Sequence, residues 1–285
     1  MSSRGKGRGR KANADERTVR GFGHEWRAFD QKSLAASDRE TMFEQYFGIF
    51  PWTSLPSDAV GFDLGCGSGR WAKLVAPRVN RLHCIDASAD ALSVAREHLR
   101  DVDNCVFHLA SVDAMPLADD STDFGYSLGV LHHVPDTAAG IRACVKKLKR
   151  GAPLLLYLYY AFDNRPAWFR RVWQVSNMGR IVISRLPFAA RLALSQVIAA
   201  TVYLPLARGA AVLERAGVDV ETLPLSIYRH RSFYVLRTDA LDRFGTRLER
   251  RFTATQVRRM MVGAGLENVR FSDGPPYWCA VGTKA

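Results

Sequence analysis

Between residues 59 and 160 short apolar runs alternate with amphipathic segments, and no other feature constrains the fold as tightly. The runs "AVGFDLG", "RLHCIDAS", "NCVFHLASV", "TDFGYSLGVL" and "APLLLYLYY" read as strands, the last apolar on both faces and therefore central. "SADALSVAREHLRD" opens with Ser88 as an N-cap and keeps Leu92, Ala95 and Leu99 on one helical face. "TAAGIRACVKKLKRG" reads as a helix with a basic last turn and Gly151 as its stop. Strands separated by helices pair in parallel, because only a crossover returns the chain to the same edge. After residue 160 the rhythm breaks, and it returns at Thr253, which caps the helix "TATQVRRMMVGAGL". "ENVRFSD" and "YWCAVGTK" then read as an antiparallel pair around "GPP". The expected architecture is an α/β, doubly wound, seven-stranded, mostly parallel sheet. A largely helical insert precedes its last helix, and a C-terminal antiparallel strand pair closes it. The expected divisions are a disordered basic tail (1–20), a helical cap (21–58), a ligand-binding core (59–160), a substrate-recognition insert (161–252) and a completion of the sheet (253–285).

The first unit carries "DLGCGSGRW" at residues 63–71. Gly65, Gly67 and Gly69 give G-x-G-x-G, and Arg70 stands where a dinucleotide fingerprint needs its third glycine. No GK[ST] follows, so a phosphate-cradling P-loop is excluded. An acid followed by a glycine-rich turn after the first strand resembles motif I of the class I S-adenosylmethionine-dependent methyltransferases, a Rossmann-like family. That donor has no phosphate, so its loop need only let backbone approach closely, which small residues allow.

The resemblance implies S-adenosylmethionine as cofactor. By it, Asp63 helps to orient the donor's ammonium group, with Gly65, Cys66, Gly67 and Gly69 as the loop. Asp86, 23 residues after Asp63, with Ala87 beside it, takes the ribose hydroxyls. Asp113 and Ala114 meet the adenine, with Met115 and Leu117 flanking the ring and Leu128 also in contact. "GFGHEWRAFDQ" resembles the FG-x-EW opening segment of methyltransferases associated with cell-surface glycan and lipid-linked pathways, which would place Phe22, Trp26 and Phe29 over the donor. A helix merely docked on the sheet fits the same residues.

On the acceptor side, "VLHHVPD" resembles the small-molecule, type 11-like branch of the family. The Asn/Asp-Pro-Pro-aromatic run of nucleobase amine methylation is missing, as is a Pro-Cys pair for pyrimidine carbon. His132 or His133 is a candidate base for an oxygen acceptor; a capping or packing role fits as well. No third ligand is spaced with them, so no metal is expected. In the insert, Tyr228, Arg229, His230, Arg231 and Tyr234 suit an anionic group beside a sugar or ring, with Tyr228 a further catalytic candidate. Asp239 and Asp242 can instead satisfy Arg243, Arg247 and neighbouring charges. Tyr277, in "GPPYWC", can lie over the site or in the core.

Net charge is +12 over 285 residues. Arg4, Lys6, Arg8, Arg10 and Lys11 load the glycine-rich N-terminus, and residues 165–259 hold 17 arginines, no lysine and six acids. This balance suits an anionic acceptor, a nucleic acid or an anionic membrane surface. Five scattered cysteines without CxxC spacing read as reduced. No apolar run follows the basic start, so a cytoplasmic location is expected, with peripheral contact at the inner face of the membrane as a further option. "LALSQVIAATVYLPLA" at 192–207 is short and polar for a span, and reads first as a buried helical lid and second as a segment lying on a membrane. The leading expectation is methyl transfer, at oxygen, to a small-molecule or glycan/lipid-linked acceptor. An RNA methyltransferase and a non-catalytic donor-binding scaffold are the alternatives, and oligomeric state is left open.

Overall fold

The protein is seen in a computed structural model, and the structure describes residues 13–31 and 34–285. The five basic residues of the N-terminal run lie outside the described residues. The chain builds a single seven-stranded sheet in the order β3-β2-β1-β4-β5-β7-β6. The strands are β1 (Val60–Leu64), β2 (Arg81–Asp86), β3 (Cys105–Leu109), β4 (Phe124–Leu128), β5 (Pro153–Tyr157), β6 (Leu266–Phe271) and β7 (Cys279–Lys284). β1 to β5 pair in parallel, and β7 runs antiparallel to both neighbours. This is the expected fold class.

The central strands are close-packed by reciprocal glycine–phenylalanine contacts. Gly61 pairs with Phe124, and Phe62 with Gly125. A Cβ on either glycine would lie 2.2 Å from the opposite ring. Phe62 faces one apolar layer, with Ile85, Leu131, Ile141, Leu154 and Met261. Phe124 faces the other, with Phe47, Trp71, Leu82 and Leu92.

The helices are α1 (Glu16–Ala28), α2 (Ala36–Phe47), α3 (Ala72–Val75), α4 (Ala89–His98), α5 (Thr137–Lys147), α6 (Ala167–Ile183), α7 (Phe188–Ile198), α8 (Leu204–Arg215), α9 (Phe233–Gly245) and α10 (Ala254–Gly263). Their starts follow local chemistry. Ser88 caps α4 through the Ala91 N–H, and Asp136 caps α5 through the Ala139 N–H. Thr253 and Gln256 form a capping box on α10.

Three boundaries differ from expectation. α1 begins at Glu16, because Asp15 accepts from the Thr18 N–H and caps it inside the region read as tail. α5 ends at Lys147, and Gly151 serves the turn into β5 at φ +79°. The insert is four helices. A π-helical turn, Ala199–Tyr203, joins α7 to α8, and this rod packs on α9 through Ala199, Tyr203 and Ala207 against Leu236 and Ala240. Its other side is uncovered, so it is not the buried lid that its composition suggested.

Candidate active site

Parallel strands deliver their carboxyl ends to one edge, and the loops leaving that edge form the floor of a cavity. Here the cavity measures about 770 Å³ and is roofed by α1 and the insert helices. Leu64, Gly65, Asp86, Ala87, Leu128 and Tyr157 reach it from the ends of β1, β2, β4 and β5.

The glycine loop is shaped by its neighbours. Gly67 has φ +54°, and a Cβ there would meet the Trp26 indole at 2.8 Å. Both the backbone sign and the contact therefore require glycine. Trp26 of α1 lies on the loop and lines the cavity. Gly65 also lines it, while Cys66 is buried in the core and Gly69 packs on Leu99. Asp86 anchors the loop: one carboxylate oxygen accepts from the Gly67 N–H at 2.9 Å, the other from the Ser88 N–H at 2.8 Å. Burial raises its pKa against these hydrogen bonds. Each oxygen keeps a lone pair, so the group can still accept hydroxyl protons from the cavity.

Asp63 is buried beneath the loop, behind the cavity lining. Its Oδ2 makes no hydrogen bond of good geometry among the described residues, although the Tyr126 hydroxyl lies beside the carboxylate and favours its charged form. Burial pushes its carboxyl up to about 8. An ammonium ligand would relieve that penalty, which is the fit an amino-acid-bearing donor offers. Arg70 lines the cavity, lies 4.5 Å over Trp71 and forms no ion pair among the described residues. Asp113 and Ala114 depart from expectation. They occupy a 3₁₀ turn, are exposed and do not line the cavity, where Ser111 and Val112 stand instead. Ser111 donates to Asp113 at 2.7 Å. Met115 is buried in the core cluster.

The two histidines separate. His132 is fully buried, its ring stacked 3.8 Å from Tyr159, and neither nitrogen has a partner among the described residues. Burial holds its pKa well below the usual imidazole range. His133 lines the cavity, and its Nδ1 lies 2.6 Å from the Leu248 carbonyl oxygen. A carbonyl only accepts, so the proton is assigned to Nδ1. Nε2 then carries the lone pair and has no partner among the described residues. Burial lowers the pKa of His133 and keeps it neutral. A buried, neutral imidazole fixed in this tautomer can take a proton from a hydroxyl in the cavity.

The insert contributes differently from expectation. Tyr228, Arg231, Tyr234 and Tyr277 line the cavity. Arg229 and His230 do not: both bind Glu214, at 2.7 Å each, on the outer side of α8. The Arg231 guanidinium is held by Gln45 at 2.7 Å and Asp38 at 3.5 Å. The Tyr234 hydroxyl accepts from the Gln31 N–H. Arg243 and Arg251 converge on Glu249. Asp239 and Asp242 turn to tyrosines instead. Tyr203 and Tyr228 hydroxyls lie on Asp239, and Tyr159 donates to Asp242. Burial pushes Asp239 up to about 6.

Glu25 is a site residue that the sequence reading passed over. It is buried, lines the cavity, and has its pKa raised well above the ordinary value by burial with Asp242 and Asp239 nearby. Its place in "GFGHEWRAF" was the available signal.

Comparison with known proteins bears on the core. Residues 62–156 match the model of the methyltransferase domain family. The uncharacterized methyltransferase YcgJ of Bacillus subtilis is 29% identical over 104 residues, 36% of this chain and 41% of its own. A ubiquinone biosynthesis O-methyltransferase of Hydrogenovibrio crunogenus is 34% identical over 105 residues, 36% of this chain and 42% of its own. The chain thus spans about two fifths of the length of these curated relatives. Among solved structures, a possible exported protein from Bordetella parapertussis covers 88% of this chain and 68% of its own, at 15% identity and a TM-score of 0.50, a likeness of fold.

Proposed function

We propose that this chain, whose residues 62–156 match the methyltransferase domain family, is a class I S-adenosylmethionine-dependent methyltransferase that transfers a methyl group from S-adenosylmethionine to a hydroxyl of a small-molecule acceptor. The single observation that carries the oxygen assignment is His133, which lines the cavity with Nδ1 committed to Leu248 and Nε2 left without a partner among the described residues.

In this reading Asp86 accepts the donor's ribose hydroxyls, and Asp63 and Arg70 serve its amino and carboxylate ends. Trp26 covers the glycine loop. The donor supplies an electrophilic methyl on a sulfonium sulfur. The protein's own task is to align the acceptor oxygen, exclude water and take up the hydroxyl proton. His133 receives that proton at Nε2, and the Leu248 carbonyl with nearby Asp242 and Glu249 eases the resulting positive charge. α1 and the insert helices roof the cavity.

An RNA acceptor is less well supported. The cavity-side insert arginines Arg231, Arg243 and Arg251, and Arg229 beside them, are engaged by Asp38, Glu249 and Glu214. The test is methyl-labelled donor with cell extract, fractionated into lipid, nucleic acid, protein and small molecules, with Asp86→Ala as the blank. Label is expected among small molecules or lipids. Label in nucleic acid would overturn the acceptor assignment.

A further inference from the structure

The helical insert has an outer face that the site does not explain. α6 and the continuous α7–α8 rod both pack on α9. Along α6, Trp168, Val172, Val175 and Val182 recur at helical spacing on one exposed side, flanked by Met178. Val175 is 69% and Met178 67% exposed. The rod answers with Leu194, Val197, Val202 and Leu206. Exposed apolar stripes of this kind mark a contact surface.

Charge indicates what it contacts. Residues 167–215 hold seven arginines, one glutamate, and no lysine or aspartate. The glutamate, Glu214, is already taken by Arg229 and His230. Arg170, Arg171, Arg185, Arg208 and Arg215 are exposed around the apolar residues. An apolar stripe rimmed by cations matches an anionic bilayer surface, with acyl chains below and headgroup phosphates above. The rod is 28 residues long and apolar, but its inner side is packed on protein, so it lies along such a surface rather than through it.

The same face opens into the cavity. Val172 from α6 and Val202 and Leu206 from the rod are 52%, 44% and 47% exposed, yet all three line the cavity. Ile183 and Ile198 continue the apolar wall inward. We propose that α6–α8 dock this protein on anionic membranes, and that the acceptor is an amphiphile. Its apolar chain enters between α6 and the rod, and its hydroxylated head reaches His133. The acceptor half of this inference rests on the methyl-transfer reading; the docking half does not.

The test is sedimentation of the full chain with vesicles of phosphatidylcholine alone or mixed with phosphatidylglycerol. Val175→Asn/Met178→Asn is the variant, since neither residue lines the cavity and the charge is unchanged. Binding is expected to the anionic vesicles, and the variant should bind at least about ten-fold more weakly, as loss of buried apolar area requires. An unchanged thermal melt would show that the variant is folded. Equal binding by variant and wild type would assign the attraction to charge elsewhere in the chain and overturn the proposal. A wild-type dimer that the variant dissociates would mean that a second copy covers this face, and would overturn it too. Vesicle binding together with a chain unable to bind the methyl donor would remove the methyl-transfer reading and leave the docking face standing.

Discussion

His133 Nδ1 lies 2.6 Å from the carbonyl oxygen of Leu248, and this contact leaves Nε2 as the ring nitrogen that carries the lone pair. His133→Ala should lower turnover by roughly 100-fold or more, the usual contribution of a positioned base, and leave donor affinity unchanged. Calorimetric titration of the donor beside initial rates separates the two. Burial lowers the imidazole pKa, so the base form should persist below the ordinary 6.5. Turnover should rise with pH through a value under 6.5 and then stay level. A profile that keeps climbing above neutral would assign the proton to another group.

Asp86→Ala should weaken donor binding by about 1.5–3 kcal/mol, as for a charged hydrogen-bonding partner removed. The same substitution releases the Gly67 and Ser88 N–H groups. Hydrogen exchange at these two amides should therefore accelerate in the absence of any ligand.

Asp63 gives a pH signature of opposite sign. Burial pushes its carboxyl from 3.8 up to about 8, so the folded chain binds a proton that the unfolded chain has lost. Stability from this group is therefore full below about 4 and declines as pH rises toward 8. Asp63→Asn should melt with the wild type near pH 4 and above it at pH 8. Calorimetry in buffers of different ionisation enthalpy should register proton release when wild type binds the donor, and none for the variant.

Arg229→Ala and His230→Ala should leave the acceptor KM unchanged, because both side chains are occupied by Glu214 outside the cavity. Tyr228→Phe should instead affect turnover, since its hydroxyl lies on Asp239 within the cavity. Steady-state kinetics on the same acceptor compares the three.

The fold was legible because β1 to β5 announce themselves by local pattern, and Ser88 and Thr253 are capping residues wherever they stand before a helix. The donor side was legible in part for the same reason. Asp63 and Asp86 sit at strand ends, and a parallel sheet sends those ends to one edge. Asp113 misled because a strand end fixes where the chain leaves the sheet, not which side the following turn presents. The acceptor side depends on contacts between residues far apart in sequence. Leu248 selects the tautomer of His133, Glu214 withdraws Arg229 and His230, and Glu25 meets Asp242 only after α1 folds over the insert. No local spacing encodes such partnerships.

The crossed packing of Gly61 with Phe124 and Gly125 with Phe62 makes these four positions two linked loci. A methyl added at Gly61 has nowhere to go unless the ring opposite is lost in the same step, and that ring belongs to one of the two apolar layers. Single-residue libraries should return no folded variants at the glycines, while paired changes such as Gly61→Ala with Phe124→Ala can return some. Change at the centre of this sheet is thus confined to moves taken two at a time, while the outward positions of the insert helices are free to vary one residue after another.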